Sequence, residues 1–502
     1  MLCSTIREIL VQAEQTHGVA DAIRYKKSKN EIEAKSYTDL KQDSESFSNV
    51  LTALSPEGGH VALTGATSYP WIVSYFGIVD SGRVAVPLDV SLPAEDMCEL
   101  IDRSDATIFI VDSVRPDVVA IVKDRCPKIE YVISMTEEER TEGRLSFWQL
   151  LHEHEGVCNY EPQPEQLATI MFTSGTTGKS KGVMLTHRNL AENATCLDMK
   201  FPERSVLMTV LPIHHAYCLS MDILKGLSCG SIICINDSLI RMVKNIKLFE
   251  PTIILMVPLM IETVAKKLEE AAALPPAIVK KEVFGDQLQF ICSGGAYMPP
   301  AMVDLFAKYD IKILQGYGMT ECSPVISTTV SWNIKKGSVG QLMPNCEAKV
   351  VDEELWVRGS SVMQGYYQMP EETKETLVDG WLRTGDLGYV DEEGFVYLTG
   401  RKKNLIITKN GENVSPEELE NKIGEHRLIQ EILVRESEGL IEAEIFPDLE
   451  YAEKIGVEDM TATLQSIIDE YNAGAPSYKK VYRLKVRDTE FPKTPSKKIK
   501  RY

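Results

Sequence analysis

Residues 173–182 read Thr-Ser-Gly-Thr-Thr-Gly-Lys-Ser-Lys-Gly, between two apolar runs, Leu167 to Phe172 and Val183 to Leu185. How this stretch is read decides the fold, because different phosphate loops belong to different architectures. Gly178-Lys179-Ser180 is the tail of a Walker A loop, which would make the chain a P-loop ATPase. That loop also needs a glycine five residues before its Gly-Lys-Ser, and position 173 is Thr. All ten positions are Gly, Ser, Thr or Lys. Glycines let backbone N–H groups turn toward an anion with no Cβ in the way. Hydroxyls and lysines add donors and charge that suit the β and γ phosphates of a nucleotide. The same composition also suits a flexible surface turn, so the surrounding motifs must decide.

The bulk properties narrow the field. A length of 502 residues allows roughly three folding units and a large core. The chain is 44% hydrophobic and 25% charged, as soluble globular proteins are, and its net charge of −19 argues against nucleic acid as a partner. Its 11 cysteines, with no C-x-x-C pair, suit reduced thiols in a cytoplasmic protein. Arg7 and Glu8 interrupt the first apolar stretch, so no signal peptide is expected. The longest solid apolar run, Ile253 to Ile261, contains Pro258 and is too short for a transmembrane segment.

Working outward from 173–182, helix-period and strand-like segments alternate. Residues 3–14 and 68–79 read as helices, and 60–64, 83–87 and 106–111 as strands. A second unit repeats this grammar, with strands expected at 206–211, 231–235, 252–257, 288–292 and 312–315. Such alternation predicts α/β layers on mainly parallel sheets. From Gly337 short strands separated by turns (346–351, 354–357, 394–398) predict a small antiparallel sheet or barrel. Helix returns at Pro416 to Ile423, and a hinge is placed near 401–404. The stretch from Lys479 onward is strongly basic: a solvated surface, or a tail that approaches a polyphosphate.

The order of the motifs separates these readings. T-S-G-T-T-G-x-x-K-G-V-x-L-T-H-x-N, beginning at Thr173, closely resembles the phosphate loop of the adenylate-forming (ANL) superfamily of AMP-binding enzymes. Ser180 stands where that family usually has Pro. The resemblance implies that Thr173, Ser174, Gly175, Thr176, Thr177, Gly178 and Lys181 hold phosphate. Ser293-Gly294-Gly295-Ala296 resembles the segment lying along adenine and the acyl group. Gln315-Gly316-Tyr317-Gly318-Met319-Thr320-Glu321 resembles the element whose Tyr stacks on adenine, whose Thr bonds the α-phosphate and whose Glu holds Mg²⁺. Thr384-Gly385-Asp386 resembles the turn whose carboxylate accepts the ribose hydroxyls, and Arg401 the arginine at the domain hinge. Gly411 resembles a residue of the thiol tunnel. The terminal Pro492–Arg501 stretch resembles the lysine motif, giving Lys498 as catalytic lysine, with Lys497 beside it as the alternative register.

The resemblance spans residues 20–502 and implies an α/β fold: a large N-terminal domain (1–400) of two doubly wound α/β subdomains plus a small β-barrel, and a small mobile α+β C-terminal domain (401–502). It implies activation of a carboxylic acid by ATP with Mg²⁺, release of pyrophosphate, then transfer to a thiol. The wording resembles the long-chain fatty acyl-CoA synthetase branch most. The acyl pocket is expected from His214, Tyr217, Met221, Met256, Met260, Cys292 and Val325. Tyr217 stands where amino-acid-activating relatives carry Asp, which disfavours an α-amino acid. The expected substrate is a medium- or long-chain fatty acid or a similarly hydrophobic one. No insertion interrupts 400–410, which favours CoA over the phosphopantetheine of an acyl carrier protein. The protein is expected as a monomer or homodimer. A degenerate binding protein of the same fold is disfavoured by Glu321, Asp386 and Lys498.

Overall fold

The computed structural model describes residues 2–28, 31–141, 143–173, 179–271, 273–408, 412–493 and 499–501. Ser174 to Gly178, Asn410, Gly411, Lys497 and Lys498 lie outside the described residues.

The first sheet has eight strands in the spatial order Gly365–Tyr366, Lys181–Thr186, Leu167–Thr173, Val84–Leu88, His60–Thr64, Ala106–Val111, Tyr131–Ser134, Leu145–Ser146. From Leu167–Thr173 onward neighbouring strands run parallel. Val84–Leu88 is buried at every position, as befits a parallel strand covered on both faces. The helix Tyr69–Asp80 covers one face and is itself buried at all but one position, Pro70. Ser68 caps it by accepting from the Trp71 N–H, and Pro70 starts it where its missing N–H costs nothing.

The second sheet has nine strands, in the order Gln341–Leu342, Val325–Thr328, Lys312–Gly318, Phe290–Ser293, Ile253–Met256, Val206–Thr209, Ile232–Ile235, Asp21–Lys26, Ile32–Ser36. Its middle is parallel and its edges are antiparallel. Strand order reverses on either side of Val206–Thr209, the kind of switch point at which doubly wound sheets bind ligands beyond their carboxyl ends. The expected strand positions hold to within about two residues, except that Lys312–Gly318 and Val396–Arg401 each end three residues further along.

The antiparallel unit consists of Cys346–Val351, Glu354–Gly359, Trp381–Val390 and Leu377–Val378, with Val396–Arg401 paired to Trp381–Val390. Beyond Arg401 the chain builds a three-stranded sheet, Ile429–Ser437, Leu440–Pro447 and Arg483–Val486, with the helices Pro416–Ile423 and Met460–Gly474. Leu419, Ile423, Ala443, Ile445, Leu464 and Ile468 form a core of their own here, apart from the main one.

Candidate active site

The stretch 173–182 connects two antiparallel neighbours. Leu167–Thr173 and Lys181–Thr186 pair so that Thr173 stands opposite Lys181. A Walker loop passes from a strand into a helix, whereas this chain turns back into a strand, so the P-loop ATPase reading fails on topology. Gly365–Tyr366 adds to the outer edge of the hairpin. Tyr366 thereby joins two sites read separately in the sequence. Its hydroxyl donates to Glu321 Oε1 at 2.9 Å, and Lys181 Nζ lies 4.7 Å from its ring centroid.

Opposite this hairpin lie the carboxyl ends of the second sheet. Gly294, Gly295 and Ala296 follow Phe290–Ser293, and Gln315, Gly316, Tyr317 and Gly318 complete the neighbouring strand. Gly294 packs between Gly316 and Tyr217: a Cβ there would sit 3.3 Å from the Gly316 carbonyl oxygen and 3.4 Å from the Tyr217 ring. At Gly318 a Cβ would lie 1.9 Å from the Pro324 carbonyl oxygen, which leaves room for glycine alone. The next turn, Thr320–Cys322, presents Thr320 and Glu321.

Tyr317 and Asp386, 69 residues apart, meet: the Tyr317 hydroxyl donates to Asp386 Oδ2 at 2.8 Å. Burial and the neighbouring Asp386 charge push the Tyr317 phenol well above its ordinary pKa, so it stays a donor. Asp386 is 5% exposed, and Arg401 Nε holds its other oxygen at 2.7 Å. The hairpin sets that pair, since Asp386 and Arg401 are direct cross-strand partners. The turn before Asp386 is pinned as well. Thr384 Oγ1 donates to the Leu355 carbonyl at 2.6 Å, and the Gly385 N–H donates to buried Glu354 at 3.0 Å. Burial acts to raise the Glu354 carboxyl, but Lys402 and the Gly385 N–H outweigh it and hold it below the usual carboxylate range.

On the far side of Gly316 lies a cavity of about 60 Å³ with mostly apolar walls. One wall is a face of the second sheet, with Leu207, Ile253, Leu255, Cys292 and Leu314. The other comes from the helix His187–Thr195 and from the helical stretch that begins at Tyr217. Tyr217, Met221, Cys292 and Val325 line this cavity. Burial pushes the Cys292 thiol up to about 12, so it serves as an apolar wall rather than a nucleophile.

Three of the expected pocket residues lie outside that lining. Strand alternation turns Ile253 and Leu255 to the cavity, which sends Met256 to the opposite face. Met260 follows on the helix Pro258–Glu270 and packs against the main core. His214 has its Nε2 3.6 Å from Asp89 without a hydrogen bond. Burial, reinforced by His215 and opposed by Asp89, lowers its pKa to about 4, so the ring faces that carboxylate uncharged.

Tyr366, Asp89, Glu354 and Lys225 go unnoticed in the sequence reading. Tyr366 follows a glycine next to a second tyrosine, a weak signal. Lys225 is legible as a cation in the otherwise apolar Ile223-Leu-Lys-Gly-Leu227.

A family model described as AMP-binding enzyme matches residues 10–367, and one described as AMP-binding enzyme C-terminal domain matches 403–502. The long-chain-fatty-acid–CoA ligase of Escherichia coli O157:H7 is 29% identical over 431 residues, 75% of this chain and 73% of that protein. The 4-coumarate–CoA ligase 1 of Oryza sativa subsp. japonica is 30% identical over 485 residues, 88% of this chain and 82% of that protein. The crystal structure of the anthranilate CoA ligase AuaEII in complex with anthranoyl-AMP shares the fold with a TM-score of 0.84 at 20% identity, covering 99% of this chain and 95% of that one. The fold, the converging motif segments and the two family matches agree: the chain belongs to the AMP-binding enzyme family, within the adenylate-forming superfamily.

Proposed function

We propose that this AMP-forming acid–thiol ligase activates a hydrophobic, fatty-type carboxylic acid with ATP and transfers the acyl group to CoA. The observation that carries this reading is the apolar cavity directly behind Gly316, with Gly294 on one side of that glycine and Tyr317 next to it. An acid lying in the cavity would bring its carboxylate to the strand ends where the nucleotide segments gather. A carboxylate oxygen then attacks the α-phosphorus of ATP, pyrophosphate leaves, and acyl-AMP forms. In the second step the CoA thiolate attacks the acyl carbonyl and AMP departs.

The first transition state crowds negative charge on the α-phosphate, so cations and fixed donors are needed there. Thr320 and Lys498 are assigned to it, the 173–182 hairpin to the departing pyrophosphate, Asp386 to the ribose hydroxyls and Gly411 to the path of the thiol. Glu321 is assigned to Mg²⁺. Among the described residues no group of three or more His, Cys, Asp or Glu could hold a metal. A single carboxylate suits Mg²⁺ that arrives on substrate phosphates and keeps its waters. When bound, the ion neutralises phosphate charge. The hinge at 401–404 would let the small domain, 401–502, carry Lys498 away after the first step.

Two further supports concern setting. All 11 cysteines are unpaired, which favours a reducing, cytoplasmic compartment. No helix among the described residues is long and apolar enough to cross a membrane.

The test is pyrophosphate release from ATP with a panel of straight-chain, aromatic and α-amino acids, with and without CoA. Acid-dependent pyrophosphate, rising with chain length, and an acyl-CoA product are expected. Preference for free α-amino acids would overturn the substrate class, and acyl transfer to a carrier protein but not CoA would overturn the acceptor.

A further inference from the structure

Lys225 lies in the wall of the acyl cavity and is only 8% exposed. Among the described residues that line the cavity, it alone carries a charge. An ammonium group has three protons to donate. One goes to the Leu197 carbonyl oxygen, and among the described residues no carboxylate forms an ion pair with it. Leu197 belongs to the cluster in which Met221, Val325 and Met343 pack, so the cation sits at an otherwise apolar wall. A buried charge with so few partners is costly unless something in the site answers it.

Its depth matters as much as its charge. Tyr217, beside Gly294 at the reacting end, and Lys225 stand eight residues apart on one continuous helical stretch. Eight residues would rise about 12 Å in an α-helix and somewhat less in the π-helical stretch Cys218–Leu224, so Lys225 is displaced on the order of 10 Å from the reacting end, toward the tail of a bound acid. The alkyl stem can cover methylenes while the head group meets whatever the tail carries.

We propose that Lys225 reads the far end of the acyl tail, and that the preferred substrate is a hydrophobic acid bearing a second carboxylate there. This rests on the cavity being the acyl site. The remote carboxylate completes the hydrogen bonds of Lys225 and neutralises it, while the tail between the two ends fills the apolar walls. An acid ending in methyl leaves the ammonium with the Leu197 carbonyl alone.

The discriminating experiment compares α,ω-dicarboxylic acids with monocarboxylic acids of the same chain lengths, in the wild type and in Lys225→Met and Lys225→Arg. The readout is the ratio of kcat/KM for the two acid types in pyrophosphate release, supported by ligand-induced thermal shift. The wild type should favour the dicarboxylate by about tenfold to a hundredfold at the best length, as charge-assisted hydrogen bonds do. Lys225→Met should bring the ratio to one or below, and Lys225→Arg should restore most of it. An equal ratio in wild type and Lys225→Met overturns the assignment even if both turn over fatty acids well. Should Lys225→Met fail to fold, a wild-type preference for methyl-ended acids overturns it by itself. If no acid of either type releases pyrophosphate, the acyl-site reading falls, and this assignment falls with it.

Discussion

The rim formed by the motif segments and the apolar cavity behind it share a glycine-thin boundary at Gly294 and Gly316, yet they are built on opposite principles. On the rim, polar groups are held by other polar groups: Asp386 by Tyr317 and Arg401, Glu321 by Tyr366, Gly385 by Glu354. Each of these contacts fixes a group of the motif segments in one position. The cavity is walled mostly by apolar side chains packed on one another, and Lys225 is the one charged group among its described lining residues. A preorganised rim tolerates little change, because each donor or charge has one place to act. A packed cavity tolerates exchange of apolar volume and changes in selectivity before it loses activity. On the proposed function, the rim would set the reaction and the cavity the acid.

Mutations can break that division or sharpen it, and the largest effect belongs on the rim side. Lys498→Ala should slow adenylation by about 10²- to 10³-fold, as loss of a transition-state donor does. Acyl transfer from supplied acyl-AMP should hardly change. Equal slowing of both half-reactions would place Lys498 outside the first transition state, and Lys497→Ala in the same paired assays identifies the register. Asp386→Ala comes next. It removes a buried carboxylate that Tyr317 and Arg401 both hold, and should weaken ATP binding by about 10- to 100-fold. An unchanged KM for ATP would take the ribose role away from Asp386.

On the cavity side the expected change is one of selectivity. Val325→Phe fills space at the wall shared with Met221 and Met343. The best chain length should shorten, with about 0.8 kcal/mol, or about fourfold in kcat/KM, lost for each methylene excluded. A uniform loss across all acids, including the shortest, would mean that the residue supports the rim instead. The smallest effect is expected where the rim is held only indirectly. Tyr366→Phe deletes the donor to Glu321 Oε1. It should raise the Mg²⁺ concentration for half-maximal adenylation by about fivefold, in line with about 1 kcal/mol for one hydrogen bond. No shift in the Mg²⁺ titration would separate Tyr366 from the Glu321 site.

Much of the molecule was determined by sequence alone. Strands such as His60–Thr64, Ala106–Val111 and Cys346–Val351 begin and end where the residue pattern predicts. The order of the motif segments was equally legible, because glycine turns and strand ends are local features. Tertiary structure alone decided what those segments meet. Tyr317 reaches Asp386 across 69 residues, and Tyr366 reaches Glu321 across 45, so no local pattern announces either contact. The cavity wall was illegible for a different reason. Ile253–Met256 is buried at every position because the sheet is covered on both faces, and such strands read as continuous apolar runs with no alternation to show a face. Both Leu255 and Met256 look alike in the sequence, and only packing turns Leu255 toward the cavity. Lys225 is the converse case: its charge is plain in the sequence, but its place inside a cavity exists only once five strands and two helical segments close around it.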